Sequence, residues 1–332
     1  MLKTKYFYSL DFFRGICGYG VATTHFCAFA FNNLYMEYVS FLFVEFFFVL
    51  SGFVLYPQLL KVLNNNKKLF IFYKRRWFRT LPLYLVTLIL VSALTNQLFS
   101  SDFYKYLFLM QKLLPQFIDN DYFPVAWSLS VEEIFYIFFP LILINLKKNN
   151  FINIILSIFI LILISKYYLA VITDSNFYRT GSLLRLDAIL LGFILAHFKS
   201  IFFKFKKIVF FFCFLLLIYY LSNYNLFIED KDKTSIKVIF IFLMQIISAL
   251  ILFVFLYFEK FIKSNSFKKF CLLISQQTYS IYLTHIIYIY ILKKIGLSFY
   301  FSISLYTLLL FITSFLIYNF FEKPILKLRP KI

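Results

Sequence analysis

Runs of about 20 residues with few charges recur along this chain, and each is long enough to cross roughly 30 Å of hydrocarbon as an α-helix. That recurrence makes the sequence an all-α, polytopic integral membrane helical bundle. The approximate spans are 9–30, 37–57, 80–98, 127–146, 151–172, 183–198, 208–222, 238–258, 270–292 and 299–320, about ten in all. The segment FYKYLFLMQKLLPQF, 103–117, is amphipathic and too short to cross, and reads as interfacial or re-entrant. The first apolar run is long and is followed by FNNLYMEY rather than a small-residue cleavage site, so it reads as a retained span. With no low-complexity linker and no repeat of 20–50 residues, one transmembrane domain is expected over 7–324, followed by a short basic tail at 325–332.

The net charge of +19 invites a nucleic-acid reading, which the pattern argues against. The 34 Lys and Arg residues stand in short clusters at the ends of apolar segments, as topology signals and contacts with anionic membrane lipids do. With the N-terminus inside, cytoplasmic segments hold 23 of the 34 and outer segments hold 8. Both termini are therefore expected in the cytoplasm. The four cysteines form no CxxC and no Cys/His spacing, so neither a disulfide nor a metal site is expected.

Charge inside the spans carries the functional signal, because a charged side chain at the bilayer centre costs about 2.5 to 3.5 kcal/mol on insertion scales. LDFFRGICGYGVATTH, 10–25, holds Asp11, Arg14 and His25. Eleven residues at 100° each return Arg14 and His25 to within about 20° of one another, so they share a face, roughly 16 Å apart along the axis. Asp11 can pair with Arg14 at i, i+3. WSLSVEEIFY (127–136) brings Glu132 and Glu133, LLRLDAILLG (183–192) brings Arg185 and Asp187, and YSIYLTH (279–285) brings His285. His25, Glu132, Arg185, Asp187 and His285 thus fall toward one side of the membrane, and a cavity that solvates them is the economical expectation. On the other side FYKRRWFRTLP, 72–82, concentrates Lys74, Arg75, Arg76 and Arg79 at the mouth of the third span. This is either a topology anchor or a phosphate site, since Arg76 and Arg79 at i, i+3 can clamp a polyanion. VEFFFVLSGF, 44–53, adds Glu45 and the small pair Ser51 and Gly52, which permits close helix approach or passage of a thin ligand. Lys166 and His197 read as structural.

Taken in order, LDFFRG through His25, FFFVLSGF, the RxxR of Arg76 and Arg79, WSLSVEEIFY, RLDAILLG, YSIYLTH and FEKP at 321–324 resemble the acyltransferase-3 family of integral membrane acyltransferases. The likeness covers residues 10–324. It implies a ten-helix bundle that takes an acyl group, commonly acetyl, from acyl-CoA on the cytoplasmic side and places it on a hydroxyl, usually of a cell-surface glycan. It implies that His25 is catalytic and that the RxxR pair lies on the coenzyme side. Many relatives carry an extra extracytoplasmic hydrolase-like domain; this sequence ends eight residues after Pro324, which leaves acceptor recognition to the bundle on this expectation.

Chemistry read from the residues agrees. Attack of a hydroxyl on a thioester needs a base, and a neutral imidazole, with an ordinary pKa of about 6.5, suits that task. His25 is the expected base, with Glu132 orienting its ring and stabilising the imidazolium. Arg14, Arg75, Arg76 and Arg79 form the expected set for the acyl-CoA donor, which is a substrate rather than a resident cofactor. Arg185, Asp187 and His285 form the expected acceptor set, with pairing of Arg185 to Asp187 as the structural alternative. The expected protein is an O-acetyltransferase of a lipid-linked or surface polysaccharide such as lipopolysaccharide, in the bacterial inner membrane. The rival reading is a transporter of glycans or other solutes, which inverted repeats would support; the halves share neither hydropathy nor motifs.

Overall fold

The computed structural model describes residues 6–62, 65–143, 150–173, 177–225, 234–296 and 298–330. Among these the regular secondary structure is helical, without strands. The helices are α1 (Tyr8–Phe31), α2 (Leu34–Val62), α3 (Asn66–Leu94), α4 (Ser101–Leu107), α5 (Trp127–Leu143), α6 (Phe151–Thr173), α7 (Phe177–Thr180), α8 (Leu186–His197), α9 (Lys199–Lys204), α10 (Lys206–Ser222), α11 (Thr234–Phe258), α12 (Asn265–Ile295), α13 (Phe299–Ile317) and α14 (Lys323–Lys327). Lys3, Lys5, Lys147, Lys148, Lys231, Lys233 and Lys331, which entered the charge count, lie outside the described residues, as does 144–146 of the fourth expected span.

Each of the ten expected spans falls on a helix. Six helices are long and apolar enough to cross a membrane by length and composition alone: α2, α3, α5, α6, α11 and α13. α1 and α12 are long too, at 24 and 31 residues, but polar groups dilute their apolar character. α8 and α10 are shorter, at 12 and 17 residues. This is a multi-pass, all-α membrane protein.

The largest departure from expectation is α3, which begins at Asn66 rather than near residue 80. Asn65 caps it, accepting a hydrogen bond from the Lys68 amide at 3.1 Å. Its first turns carry KKLFIFYKRRWFR, whose cations lower the hydropathy enough to imitate a loop. Long Lys and Arg stems can nonetheless cover apolar surface while their heads stay wet, so the helix continues through them. The RxxR therefore lies within α3 rather than at the mouth of a span that starts near residue 80. Similarly, 103–117 is no single amphipathic helix: α4 ends at Leu107, and Leu109 and Gln116 turn the chain with φ of 57° and 52°. At the far end α13 widens into a π-helical turn over Tyr318–Glu322 before Pro324. Proline lacks an amide hydrogen and crowds the carbonyl four residues back, which favours such a widened turn.

Packing divides the chain into two compact units. Met1–Leu50, Phe198–Tyr224 and Leu243–Phe315 make the first; Ser51–His197, Asn225–Phe242 and Leu316–Ile332 make the second.

In the first unit, α1 lies along α12, and contacts that rise together from Asp11 at Ser275 to His25 at His285 make the two helices parallel. Small residues bring them close: a Cβ on Gly15 would overlap the Ile274 side chain, and one on Gly18 would stand 2.8 Å from the Thr278 methyl. α2 is tied to α10 by Tyr38 and Tyr220, whose rings stack at 4.3 Å and whose hydroxyls donate to each other's carbonyls at 2.8 and 3.0 Å.

In the second unit, Gly52 of α2 meets α8 so closely that a Cβ would overlap the Ile189 carbonyl oxygen. The Ser51–Gly52 pair thus serves close helix approach. The connection after α4 is pinned by Asp102, which accepts from Lys105 Nζ at 2.8 Å and from the amides of Asn120 and Asp119 at 2.7 and 3.2 Å. Burial alone would raise the Asp102 pKa; Lys105 and those amides outweigh it and hold the carboxyl below its ordinary value.

Candidate active site

The seam between α1 and α12 is polar along its length. Asp11 Oδ1 accepts from Arg14 Nη1 at 3.3 Å and from Ser275 Oγ at 2.8 Å; Arg14 Nη1 also reaches Ser275 Oγ at 3.2 Å, and Tyr6 donates to the second Asp11 oxygen. This network lowers the cost of placing Asp11 and Arg14 in the helix. Further along, Tyr19 donates to Gln277 Oε1 at 2.9 Å, and Ser314 donates to the same oxygen at 3.2 Å. Tyr306 donates to the Ala22 carbonyl at 2.8 Å.

At the end of the seam the rings of His25 and His285 meet, His25 Nδ1 standing 3.0 Å from His285 Nε2. His285 Nδ1 lies 2.7 Å from the Tyr282 carbonyl and 3.2 Å from that of Ile281. The two imidazoles differ in access: His285 is fully buried, while His25 keeps part of its surface. Arg14 and His25 both face α12, as their spacing requires. The sequence grouped His285 with the acceptor set, and its ring meets that of His25.

Glu132, in the second unit, accepts from Ser51 Oγ at 2.8 Å and from Tyr136 OH at 3.0 Å. Its neighbour Glu133 is buried and accepts from Thr80 Oγ1 at 2.5 Å. Arg76 donates to Gln58 and lies over the rings of Phe72 and Tyr136, 5.4 and 5.5 Å from their centres. Arg75 Nη1 reaches the carbonyl of Pro330 at 2.8 Å, so the C-terminal tail returns to the arginine row. Arg79 shares a recess with Phe78, Pro82, Leu83, Phe321 and the buried Glu322 of the FEKP motif. Arg329 belongs to the same group: burial and then the nearby Arg75, Arg79 and Arg76 lower its pKa.

Arg185 and Asp187 have no exposed surface, so the expected solvating cavity does not extend to them. Instead Lys166 on α6 donates to Asp187 within a pair that is sealed from solvent, and the Ala188 amide donates to Asp187 at 2.8 Å. Charge neutralisation by Lys166 takes the place of hydration. Lys166 thus has its partner in Asp187, and His197 meets Tyr56 OH at 2.7 Å.

Two groups escaped the sequence reading. Ser275 and Gln277 had a signal, since ISQQTYS is conspicuously polar for the entrance of a span. Arg329 had none, being one more cation in a basic tail 250 residues after Arg79. Among the described residues no group of three or more His, Cys, Asp and Glu side chains is placed to hold a metal.

The pattern of the family described as an acyltransferase domain matches residues 7–320. OatA, an O-acetyltransferase of Staphylococcus aureus (strain NCTC 8325 / PS 47), is 31% identical over 221 residues, covering 59% of this chain and 35% of its own length. A protein of S. aureus (strain COL), named provisionally as an O-acetyltransferase, is 32% identical over 218 residues, covering 58% of this chain and 35% of its own length. An uncharacterized protein of Haemophilus influenzae (strain ATCC 51907 / DSM 11121 / KW20 / Rd) is 29% identical over 185 residues, covering 48% of this chain and 75% of its own. The chain therefore spans about 35% of the length of the staphylococcal relatives. No solved structure matches it significantly. With the match running through both units and over nearly every described helix, the chain belongs to the acyltransferase-3 family of integral membrane acyltransferases.

Proposed function

We propose that this protein is an O-acetyltransferase of the bacterial inner membrane, moving an acetyl group from acetyl-CoA to a hydroxyl of a cell-surface or lipid-linked glycan. The observation that carries the reading is His25: an imidazole within a membrane helix, partly accessible, with one ring nitrogen already engaged by His285. A buried structural histidine needs no exposed edge, whereas a general base does. His25 takes the proton of the acceptor hydroxyl as its oxygen bonds to the thioester carbonyl carbon. The carbon–sulfur bond then breaks, and the sulfur leaves with that proton as the free thiol of CoA. Ester and thiol are the products, and the imidazole is returned neutral.

The arginines of the second unit are assigned the donor's phosphates. Arg75, Arg76, Arg79 and Arg329 gather on α3 and the tail, and guanidinium forks suit phosphate oxygens. On this reading Arg14 is held by Asp11 and supports the α1–α12 seam. Both termini are placed in the cytoplasm, on the side of the charged nucleotide.

Membranes containing the wild-type protein or His25→Ala, matched for folded protein, are incubated with radiolabelled acetyl-CoA and the glycan fraction is counted. Label in the wild type alone supports the reading. Equal label in both removes His25 from the chemistry. Absence of label, with solute movement across vesicles instead, favours the transporter.

A further inference from the structure

We propose that His285 is a positioning residue that fixes the tautomer of His25, so that the basic lone pair of His25 resides on Nε2. This rests on the reading of His25 as general base. The argument is one of donors and acceptors. A backbone carbonyl can only accept, so a ring nitrogen 2.7 Å from the Tyr282 carbonyl and 3.2 Å from that of Ile281 must carry its hydrogen; His285 is protonated on Nδ1. A second proton would place a charge on a ring with no exposed surface, an expensive state in apolar surroundings. His285 is therefore neutral, and its Nε2 is an acceptor. His25 Nδ1, 3.0 Å away, must be the donor. Neutral imidazole carries one ring hydrogen, which leaves the His25 lone pair on Nε2.

The arrangement has two consequences for the transfer. It aims one defined nitrogen at the acceptor hydroxyl, removing the tautomeric and rotational freedom that a lone imidazole would retain. It also supplies an acceptor for Nδ1–H when His25 becomes imidazolium, as a carboxylate does in other acyl-transfer sites. On this proposal the group that orients His25 is His285. Sequence order hid the relation, because 260 residues separate the two rings.

The chain has three histidines, His25, His197 and His285, so nitrogen-15 spectra of histidine-labelled protein in lipid are assignable by single substitutions. The expected result is that His25 and His285 are both neutral and protonated on Nδ1. In His285→Phe the His25 signal moves toward the Nε2-protonated form that predominates in free histidine. Turnover should fall by roughly 10²-fold, the scale of a misplaced catalytic group, with the KM for acetyl-CoA nearly unchanged. His285→Gln, whose side-chain carbonyl can accept from Nδ1–H, should recover part of the loss. His25 protonated on Nε2 in the wild type, or His285 as imidazolium, overturns the proposal. So does a His285→Phe variant that turns over normally while His25→Ala does not. The two readings fail separately: if His25→Ala keeps full activity while the spectra show both rings protonated on Nδ1, the base assignment falls and the tautomer assignment stands.

Discussion

Two of the polar contacts that cross between helices in this apolar protein solve the burial problem in opposite ways. Lys166 and Asp187, on α6 and α8, cancel each other's charge and are sealed, with 1% and 0% of their side chains exposed. His25 and His285, on α1 and α12, cancel nothing: they are joined by one hydrogen bond, and one of the two rings stays partly accessible. A closed ion pair is self-contained, while the proposed run of neutral donors and acceptors puts the basic nitrogen of His25 at Nε2. The contrast separates architecture from chemistry better than ionisable character alone, which treated Asp187 and His285 alike.

The sharpest way to break the comparison is to truncate each side and ask what is lost. His25→Ala should reduce acetyl transfer by about 10²- to 10⁴-fold, the usual worth of a general base, with little change in melting temperature. Loss of folding together with activity in His25→Ala would make the seam architectural and erase the distinction.

For the sealed pair the order reverses. Asp187→Ala leaves the Lys166 ammonium buried without its carboxylate, which should cost about 3 to 5 kcal/mol of stability. The double change Lys166→Met with Asp187→Leu should restore part of it, because Lys166 loses its charge with Asp187 while the buried Arg185 keeps its own. Thermal unfolding in detergent checks both. A double variant that melts normally but transfers no acetyl group would return Asp187 to the acceptor site.

The way these clusters became visible marks how far the sequence could be read. Helix positions were legible because hydropathy reports burial in lipid directly, and they failed where cations interrupt the signal, as at the start of α3. Arg14 and His25 were legible as one face because both lie on a single helix with a fixed turn. Lys166 was not, since its partner stands 21 residues on in another helix. The pairing of His25 with His285 was further out of reach, for helical periodicity says which way a residue faces and nothing about which helix it will meet.

Outside the spans, Asp102 offers a smaller test of the same rule with an ionised group. Its folded pKa lies below the unfolded value of about 3.9, so its contribution is complete above that value and drains away as pH falls through the folded pKa. Asp102→Asn should lower stability by about 1 to 2 kcal/mol at pH 7, and the gap from the wild type should close at the acid end. A gap independent of pH would mean that the carboxylate charge is irrelevant there.

The smallest effect belongs to Arg329, yet it extends the comparison to a third kind of site. Arg75, Arg76, Arg79 and Arg329 repel one another, and Arg329 is only partly buried. Like charges gathered without being sealed have lower energy when a polyanion joins them, the reverse of the self-cancelled Lys166–Asp187 pair. Arg329→Gln should therefore weaken binding of acetyl-CoA about fivefold, equivalent to ~1 kcal/mol for one partly solvated ion pair. Relief of the repulsion should leave the melting temperature of the unliganded protein equal to or above that of the wild type. Isothermal titration at two salt concentrations separates the terms, since a phosphate contact weakens as ionic strength rises. Unchanged affinity with a raised melting temperature would assign the tail to neutralising phospholipid headgroups, and the donor's phosphates would then rest on α3 alone.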